Sequence, residues 1–292
     1  MPLLREKGVT LHIKREDTIH PLISGNKYRK LKYNLLEALK LGQDTLLTFG
    51  GAFSNHVAAV ACVGHEQGFS TIGVIRGDEL ANTWQNNPTL KLAHEQGMQF
   101  HFVSRSDYRL KNESEFLQNL KDQFGEFYLV PEGGTNALAV KGCEEIVTEA
   151  DTHFDIICCA VGTGGTVAGL INAAKPHQQV WGFPALKGDF LREEVGKWTI
   201  QENWRLVTDY HFGGYAKVDQ KLVDFINDFK RQTKIPLDPI YTGKLIFGIF
   251  DLVNQDVFPQ NTKILAIHTG GLQGIQGMNP VLKKKNLPLL DV

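Results

Sequence analysis

Apolar residues along this chain fall into short runs, each followed by a glycine-rich turn and then by a stretch with helical spacing. "DTLLTFGGAFSN" runs into "HVAAVACVGHEQG", and "FDIICCAVGTGGT" runs into "VAGLINAAKPH". "STIGVIRGDE", "MQFHFVS" and "EFYLVPEGGTN" read as further strands, with "TKILAIHTGG" a last one near the C-terminus. Strands alternating with helices predict an α/β fold of open, mostly parallel sheets with helices on both faces. The first long helix shows Leu31, Leu35, Ala38 and Leu39 on one apolar stripe and closes at Gly42. Residues 45–135 are expected to form a smaller α/β domain, and 1–44 together with 136–292 a larger one.

Composition narrows the function classes. The 292 residues are 42% hydrophobic and 22% charged with a net charge of −1, an ordinary globular composition. Without a basic excess, nucleic acid is not an expected partner. The opening "MPLLREKGVTLHIKRED" is charged too early for a signal peptide, and no uncharged apolar window is long enough for a membrane span. Cys62, Cys143, Cys158 and Cys159 show no C-x-x-C spacing, so they read as buried structural thiols in a reducing, cytoplasmic setting, and no metal is expected.

Candidate chemistry sits in the turns. In "LISGNKYRKL" Lys27 stands at a helix start, where the helix dipole disfavours a cation. It is either a solvated surface lysine or a reactive one. In "AVGTGGTVAGL", Thr163, Gly164, Gly165 and Thr166 lead from a strand into a helix. Such a turn aims backbone N–H groups at one point and suits a phosphate, although a tight structural turn looks the same. It is neither a P-loop nor G-x-G-x-x-G, since Val167 occupies the third glycine position. In "FGGAFSNHVAAV", Ser54 and Asn55 fit a helix N-cap. A nucleophile elbow would need glycines where Ala52 and His56 stand. Thr269 in "AIHTGGLQG" ends a strand, and Tyr241 and Thr242 in "DPIYTGKLIFG" precede an apolar helix. Four such turns at the carboxyl ends of strands mark the ligand side of an open sheet.

Taken in order, "IKREDTIHPLISGNKYRKL", "TFGGAFSNH", "PEGGTNALAVKG", "AVGTGGTVAGL", "DPIYTGK" and "IHTGG" resemble the pyridoxal-phosphate enzymes that include D-cysteine desulfhydrase and 1-aminocyclopropane-1-carboxylate deaminase. Those enzymes have the tryptophan-synthase-β-like architecture, fold type II. The resemblance implies a larger domain that binds pyridoxal 5'-phosphate, with Lys27 as the lysine that bonds to its aldehyde. Asn55 would meet the ring hydroxyl, Thr163, Gly164, Gly165 and Thr166 the phosphate, and Thr269 the pyridine nitrogen. A hydroxyl at that nitrogen makes a milder electron sink and favours elimination. Ser54, Tyr241 and Tyr215 (in "FGGYAK") would stand near the substrate, holding its carboxylate or moving a proton.

The deaminase branch typically carries an acid after the "Y-T-G-K" tyrosine and an apolar residue before the last Gly-Gly. Thr242 and Thr269 follow the desulfhydrase-like pattern instead. The implied reaction is α,β-elimination on a small amino acid, D-cysteine first, giving pyruvate, ammonia and sulfide. The alternatives are ring opening of the cyclopropane amino acid, or cofactor binding with little turnover. A cofactor-free hydrolase using Ser54 fits less well. Phe53 stands where the family usually has glutamine, which makes the pocket more apolar. The sequence also starts only a few residues before "VTLHIKRED", with less N-terminal chain than is usual in the family. A homodimer is expected from the resemblance.

Overall fold

The computed structural model describes residues 1–23 and 25–291; Ser24, within the "SGNK" motif, lies outside the described residues. The strands are β1 (Thr10–Arg15), β2 (Thr45–Gly50), β3 (Ser70–Arg76), β4 (Gln99–Val103), β5 (Tyr128–Val130), β6 (Ile156–Val161), β7 (Gln179–Pro184), β8 (Trp204–Leu206) and β9 (Lys263–His268). The helices are α1 (Pro2–Glu6), α2 (Asn26–Lys40), α3 (Asn55–Gln67), α4 (Pro88–Glu95), α5 (Ser114–Phe124), α6 (Ala137–Glu144), α7 (Gly165–Ala173), α8 (Phe190–Gly196), α9 (Gln220–Thr233), α10 (Thr242–Asn254) and α11 (Gly274–Lys284).

Two sheets form, in the orders β4-β3-β2-β5 and β1-β9-β6-β7-β8, and every pairing in both is parallel. All six residues of β6, and all but the first of β2 and β9, are buried. Helices covering both faces of a parallel sheet explain why these strands read as continuous apolar runs rather than alternating ones. β7 and β8 are additions to the sequence reading. "QVWGFP" is broken by glycine and proline, and "WRL" is too short to carry a periodic signal.

The strands of the smaller sheet all lie between residues 45 and 130, and those of the larger lie outside that span. That segregation favours the proposed division into 45–135 and 1–44 plus 136–292. Helix α2 does not respect it cleanly. Its Leu31 and Ala38 share a core with Leu46 and Val57 of the smaller unit, while its other side lies close to α6. A Cβ at Gly142 would come within 2.0 Å of the Arg29 carbonyl.

One expectation about α2 is corrected. Leu39 is 60% exposed, and the inward positions are Lys30, Leu31, Asn34 and Ala38. The helix turns a polar strip inward because it borders both a core and a polar network. Asn34 donates to the Lys30 carbonyl (2.7 Å) and accepts from Asn136 (2.7 Å) and the Tyr128 hydroxyl (3.0 Å). The four cysteines are free and buried. Among the described residues no helix is long and apolar enough to cross a membrane.

Candidate active site

The carboxyl ends of β2, β3, β6 and β9 open onto one cavity of about 960 Å3. Lys27, Ser54, Asn55, Thr163, Gly164, Thr166, Tyr215, Tyr241 and Thr269 all line it. Gly165 lies just behind the wall, as the first residue of α7. Residues spread over more than two hundred positions of sequence therefore meet in one place, as strand ends in open α/β sheets do.

Lys27 is brought there by backbone geometry. Gly25 has φ +59°, and a Cβ on it would stand 2.0 Å from the Thr269 carbonyl oxygen, so only glycine lets α2 start against the Thr269 turn. The Asn26 N–H donates to that same carbonyl (3.3 Å). The Lys27 ammonium donates to Asn26 Oδ1 (3.3 Å) and has no carboxylate partner among the described residues. Enclosure by the protein, with a smaller contribution from the positive charge of nearby Lys30, brings its pKa down to about 7. The amine is thus half neutral near neutral pH, as a nucleophile requires.

Lys30 was not singled out from sequence. It is 2% exposed, and its ammonium donates to the Gly133 carbonyl (2.9 Å) and Thr135 Oγ1 (3.0 Å). Burial lowers its pKa, and no acid pairs with it among the described residues. The available signal was its place three residues after Lys27, one turn along the same helix face. Its ammonium lies 3.2 Å from where a Gly165 Cβ would be, beneath the start of α7. Among the described residues no side chain caps that helix start, and Gly164 adopts φ +89° to form the turn. Thr163 Oγ1 is 2.6 Å from Thr135 Oγ1. Uncapped N–H groups, two threonine hydroxyls and a buried cation without a counter-charge form an anion cradle. Thr166 has a second duty, since its hydroxyl accepts from Asn26 Nδ2 (2.7 Å) and ties α2 to α7.

On the opposite wall Ser54 caps α3, with its Oγ accepting from the Val57 N–H (3.2 Å). One lone pair is therefore occupied while the hydroxyl proton has no acceptor among the described residues, so the side chain is better placed to donate to an anion than to accept a proton. Asn55 Oδ1 is buried and has no hydrogen-bond partner among the described residues. Neither ring nitrogen of His56 has a partner in good hydrogen-bond geometry among the described residues, and the Pro131 backbone is only a weak neighbour. Burial holds the His56 pKa well below the ordinary range, and the charges of Lys27 and Lys30 add to this. An orphaned carbonyl oxygen in the interior costs about 1–3 kcal/mol, and Asn55 carries that cost facing the cavity.

Tyr241 sits over Gly162, where a Cβ would approach its hydroxyl to 3.3 Å. Its backbone is held by Asp238, whose carboxylate accepts from the N–H groups of Ile240, Tyr241 and Thr242 at 2.7–2.8 Å and from the Thr242 hydroxyl at 2.7 Å. Asp238 is a second residue that sequence reading missed; "DP" ahead of the turn was its signal. Thr242 is consumed in this cap and does not line the cavity. The Tyr215 ring lies 6.3 Å from the Tyr241 ring. Burial raises the pKa of Tyr241 strongly, and enclosure by the cavity wall raises that of Tyr215, which is 42% exposed, less so, so both are proton donors near neutral pH. Phe53 is 42% exposed at the rim, with its ring against Gly277, where a Cβ would come within 2.6 Å. On the outer wall Arg105 pairs with Glu79 (2.8 Å) and Lys111 with Glu132 (3.4 Å).

This donor set fits pyridoxal phosphate. The cradle offers N–H groups and a cation to a phosphate, Lys27 offers a neutral amine to an aldehyde, and Asn55 Oδ1 awaits a donor such as a ring hydroxyl. Thr269, 8% exposed, presents a hydroxyl for a ring nitrogen.

Comparison with known proteins agrees. The family model described as pyridoxal-phosphate dependent enzyme matches residues 2–270. The D-cysteine desulfhydrase of Yersinia pestis is 30% identical, covering 94% of this chain and 90% of its own length. The bifunctional mitochondrial D-cysteine desulfhydrase/1-aminocyclopropane-1-carboxylate deaminase of Arabidopsis thaliana is also 30% identical, covering 92% and 74%. Among solved structures, an ACC deaminase homologue superposes with a TM-score of 0.78 at 29% identity, covering 97% of this chain and 91% of its own.

Proposed function

Because this chain belongs to the pyridoxal-phosphate dependent enzyme family, we propose that its cavity carries out α,β-elimination on a small amino acid, D-cysteine first, releasing pyruvate, ammonia and sulfide. The observation that carries this reading is the pairing of a near-neutral amine, Lys27, with the uncapped start of α7 above the buried cation of Lys30. Together they match the two ends of the cofactor.

Pyridoxal phosphate supplies the electron sink that lets a Cα proton leave. The remaining work falls to this chain. The Lys30 ammonium and the N–H groups opening α7 hold the phosphate, with Thr163 Oγ1 beside them. Asn55 Oδ1, buried without a partner among the described residues, would accept from the ring hydroxyl. Thr269, a hydroxyl rather than a carboxylate, leaves the ring nitrogen without an acid to keep it protonated. Lys27 Nζ is the first candidate base at Cα, since near neutral pH it accepts a proton readily. Ser54 Oγ, already accepting from Val57, is assigned to donating to the substrate carboxylate. Tyr215 and Tyr241, both protonated, donate to the carboxylate or to the departing thiolate.

The relatives' names cover two chemistries, and the elimination reading is favoured by Thr242. Its side chain is locked to Asp238, so position 242 presents no group to a cyclopropane ring. We extend the proposal to a cytoplasmic homodimer. Leu36, Leu39 and Leu41, between 56% and 60% exposed, supply apolar surface that an assembly would cover, and light scattering gives its mass. The test of function is product release. Purified protein loaded with cofactor should yield pyruvate and sulfide from D-cysteine faster than pyruvate from D-serine, and no 2-oxobutyrate from 1-aminocyclopropane-1-carboxylate. Release of 2-oxobutyrate without pyruvate would reverse the assignment.

A further inference from the structure

Lys244 belongs to none of the groups that line the cavity, yet it is 2% exposed. It lies in the first turn of α10, where the helix dipole opposes a cation. It forms no ion pair among the described residues. Asp238, the acid whose charge bears on it, is already saturated by three backbone N–H groups and a hydroxyl. A buried ammonium in such a place is retained for the bonds it makes. It donates to the carbonyl of His211 (2.8 Å) and to that of Gly214 (2.9 Å).

Those two carbonyls close successive tight turns. The Gly214 N–H donates to the His211 carbonyl (3.0 Å), and the Lys217 N–H donates to the Gly214 carbonyl (3.2 Å). The segment between is bent hard: Phe212, Gly213, Gly214 and Ala216 all have positive φ, at 54°, 90°, 117° and 55°. Phe212 and Ala216 hold this conformation without glycine's freedom, which persists only where the surroundings impose it. The imposed product is the place of Tyr215, next to Tyr241 at the cavity wall.

We infer that Lys244 is a positioning residue for Tyr215: its ammonium pins both turns of the 211–217 loop to the start of α10, so that one helix start sets both phenols. Asp238 fixes Tyr241 through its backbone, and Lys244 fixes Tyr215 through the loop. Phe212 packing on Phe247 (5.0 Å between rings) retains the loop on the helix when the ammonium is removed, so loss of Lys244 loosens aim rather than detaching the segment. This rests on the reading above that Tyr215 acts on the substrate.

The test uses cofactor-loaded full-length protein and the variants Lys244→Met, Tyr215→Phe and their double. Lys244→Met should speed amide exchange in 211–217 by at least about tenfold, the equivalent of one charge-assisted hydrogen bond, and leave exchange in the sheets unchanged. With D-cysteine as substrate it should lower kcat/KM by about 10- to 100-fold, with the same division between kcat and KM as Tyr215→Phe. In the double variant Lys244→Met should add less than about threefold to Tyr215→Phe alone. Lys244→Arg, which keeps the cation, should recover part of the loss. Gly214→Ala strains the same loop without entering the core and should give the same kinetic pattern, which decides the matter if Lys244→Met does not fold. Multiplicative losses in the double variant, or unchanged exchange in 211–217, would overturn the inference. If the parent protein does not turn over D-cysteine, the functional reading fails, and the exchange measurement still decides whether Lys244 holds the loop.

Discussion

Replacing Lys30 by methionine separates the cradle from the reactive amine. The substitution removes two hydrogen bonds, to the Gly133 carbonyl and to Thr135 Oγ1. An unpaired buried carbonyl costs about 1–3 kcal/mol. Against this, the apoprotein no longer buries a cation without a counter-charge, so the two terms offset and the apoprotein should keep its stability to within about 2 kcal/mol. Cofactor binding has no such offset. A charge-assisted hydrogen bond to a phosphate is worth about 1.5–3 kcal/mol, so Kd should rise by roughly 10- to 150-fold. The assay is an absorbance titration of apoprotein in phosphate-free buffer with pyridoxal phosphate and, in parallel, with pyridoxal. Only the phosphorylated form should lose affinity. Lys27 should also respond: with the Lys30 charge gone its pKa should rise from about 7, yet stay below the ordinary value because burial, the larger cause, remains. The rate at which an amine reagent labels Lys27 across pH reads this shift. Equal losses for pyridoxal and pyridoxal phosphate, or no loss in either, would refute the assignment of Lys30 to the phosphate.

Three further outcomes follow from the same geometry. Asn55→Ala removes a carbonyl oxygen that is buried without a partner among the described residues; the apoprotein's melting temperature should hold or rise while cofactor affinity falls, and a marked drop in apoprotein stability would contradict this. Gly25→Ala places a Cβ 2.0 Å from the Thr269 carbonyl at φ +59° and should destabilise the apoprotein by about 3 kcal/mol, measured by urea unfolding. Lys27 and Lys244 have folded pKa values depressed to about 7 and about 8, so above pH 7 the unfolded chain binds more protons than the folded one. Apoprotein stability should therefore rise between pH 7 and about 8.5, above which the unfolded chain's thiols ionise and the buried Cys62 and Cys159, raised to about 11 and about 12, reverse the slope. Lys27→Met should flatten the rise.

Local chemistry was the legible part of this sequence. The turns carrying Ser54, Asn55, Thr163–Thr166 and Thr269 could be read because a strand end, a glycine and a helix start are neighbours in the chain. Lys27 stood out as a cation against a dipole. Lys30 and Lys244 were not singled out, because their partners, the carbonyls of Gly133, His211 and Gly214, lie 30 or more residues away in sequence. Leu39 was misread as core because spacing reports that a helix has an inward face without reporting that part of that face is polar. Thr242 is near the site in sequence but turned into the Asp238 cap. Phe53 shows both sides: the loss of an amide is visible in the sequence, and only the fold reveals that the ring rests on Gly277 at the rim.

The most direct test of the central claim is to identify which lysine bonds to the cofactor. Protein incubated with pyridoxal phosphate, reduced with borohydride and digested should carry a single phosphopyridoxyl group on the peptide containing Lys27, and Lys27→Ala should carry none while its cradle still binds inorganic phosphate. Modification of Lys30 or Lys244 instead, or of no lysine at all, would contradict it.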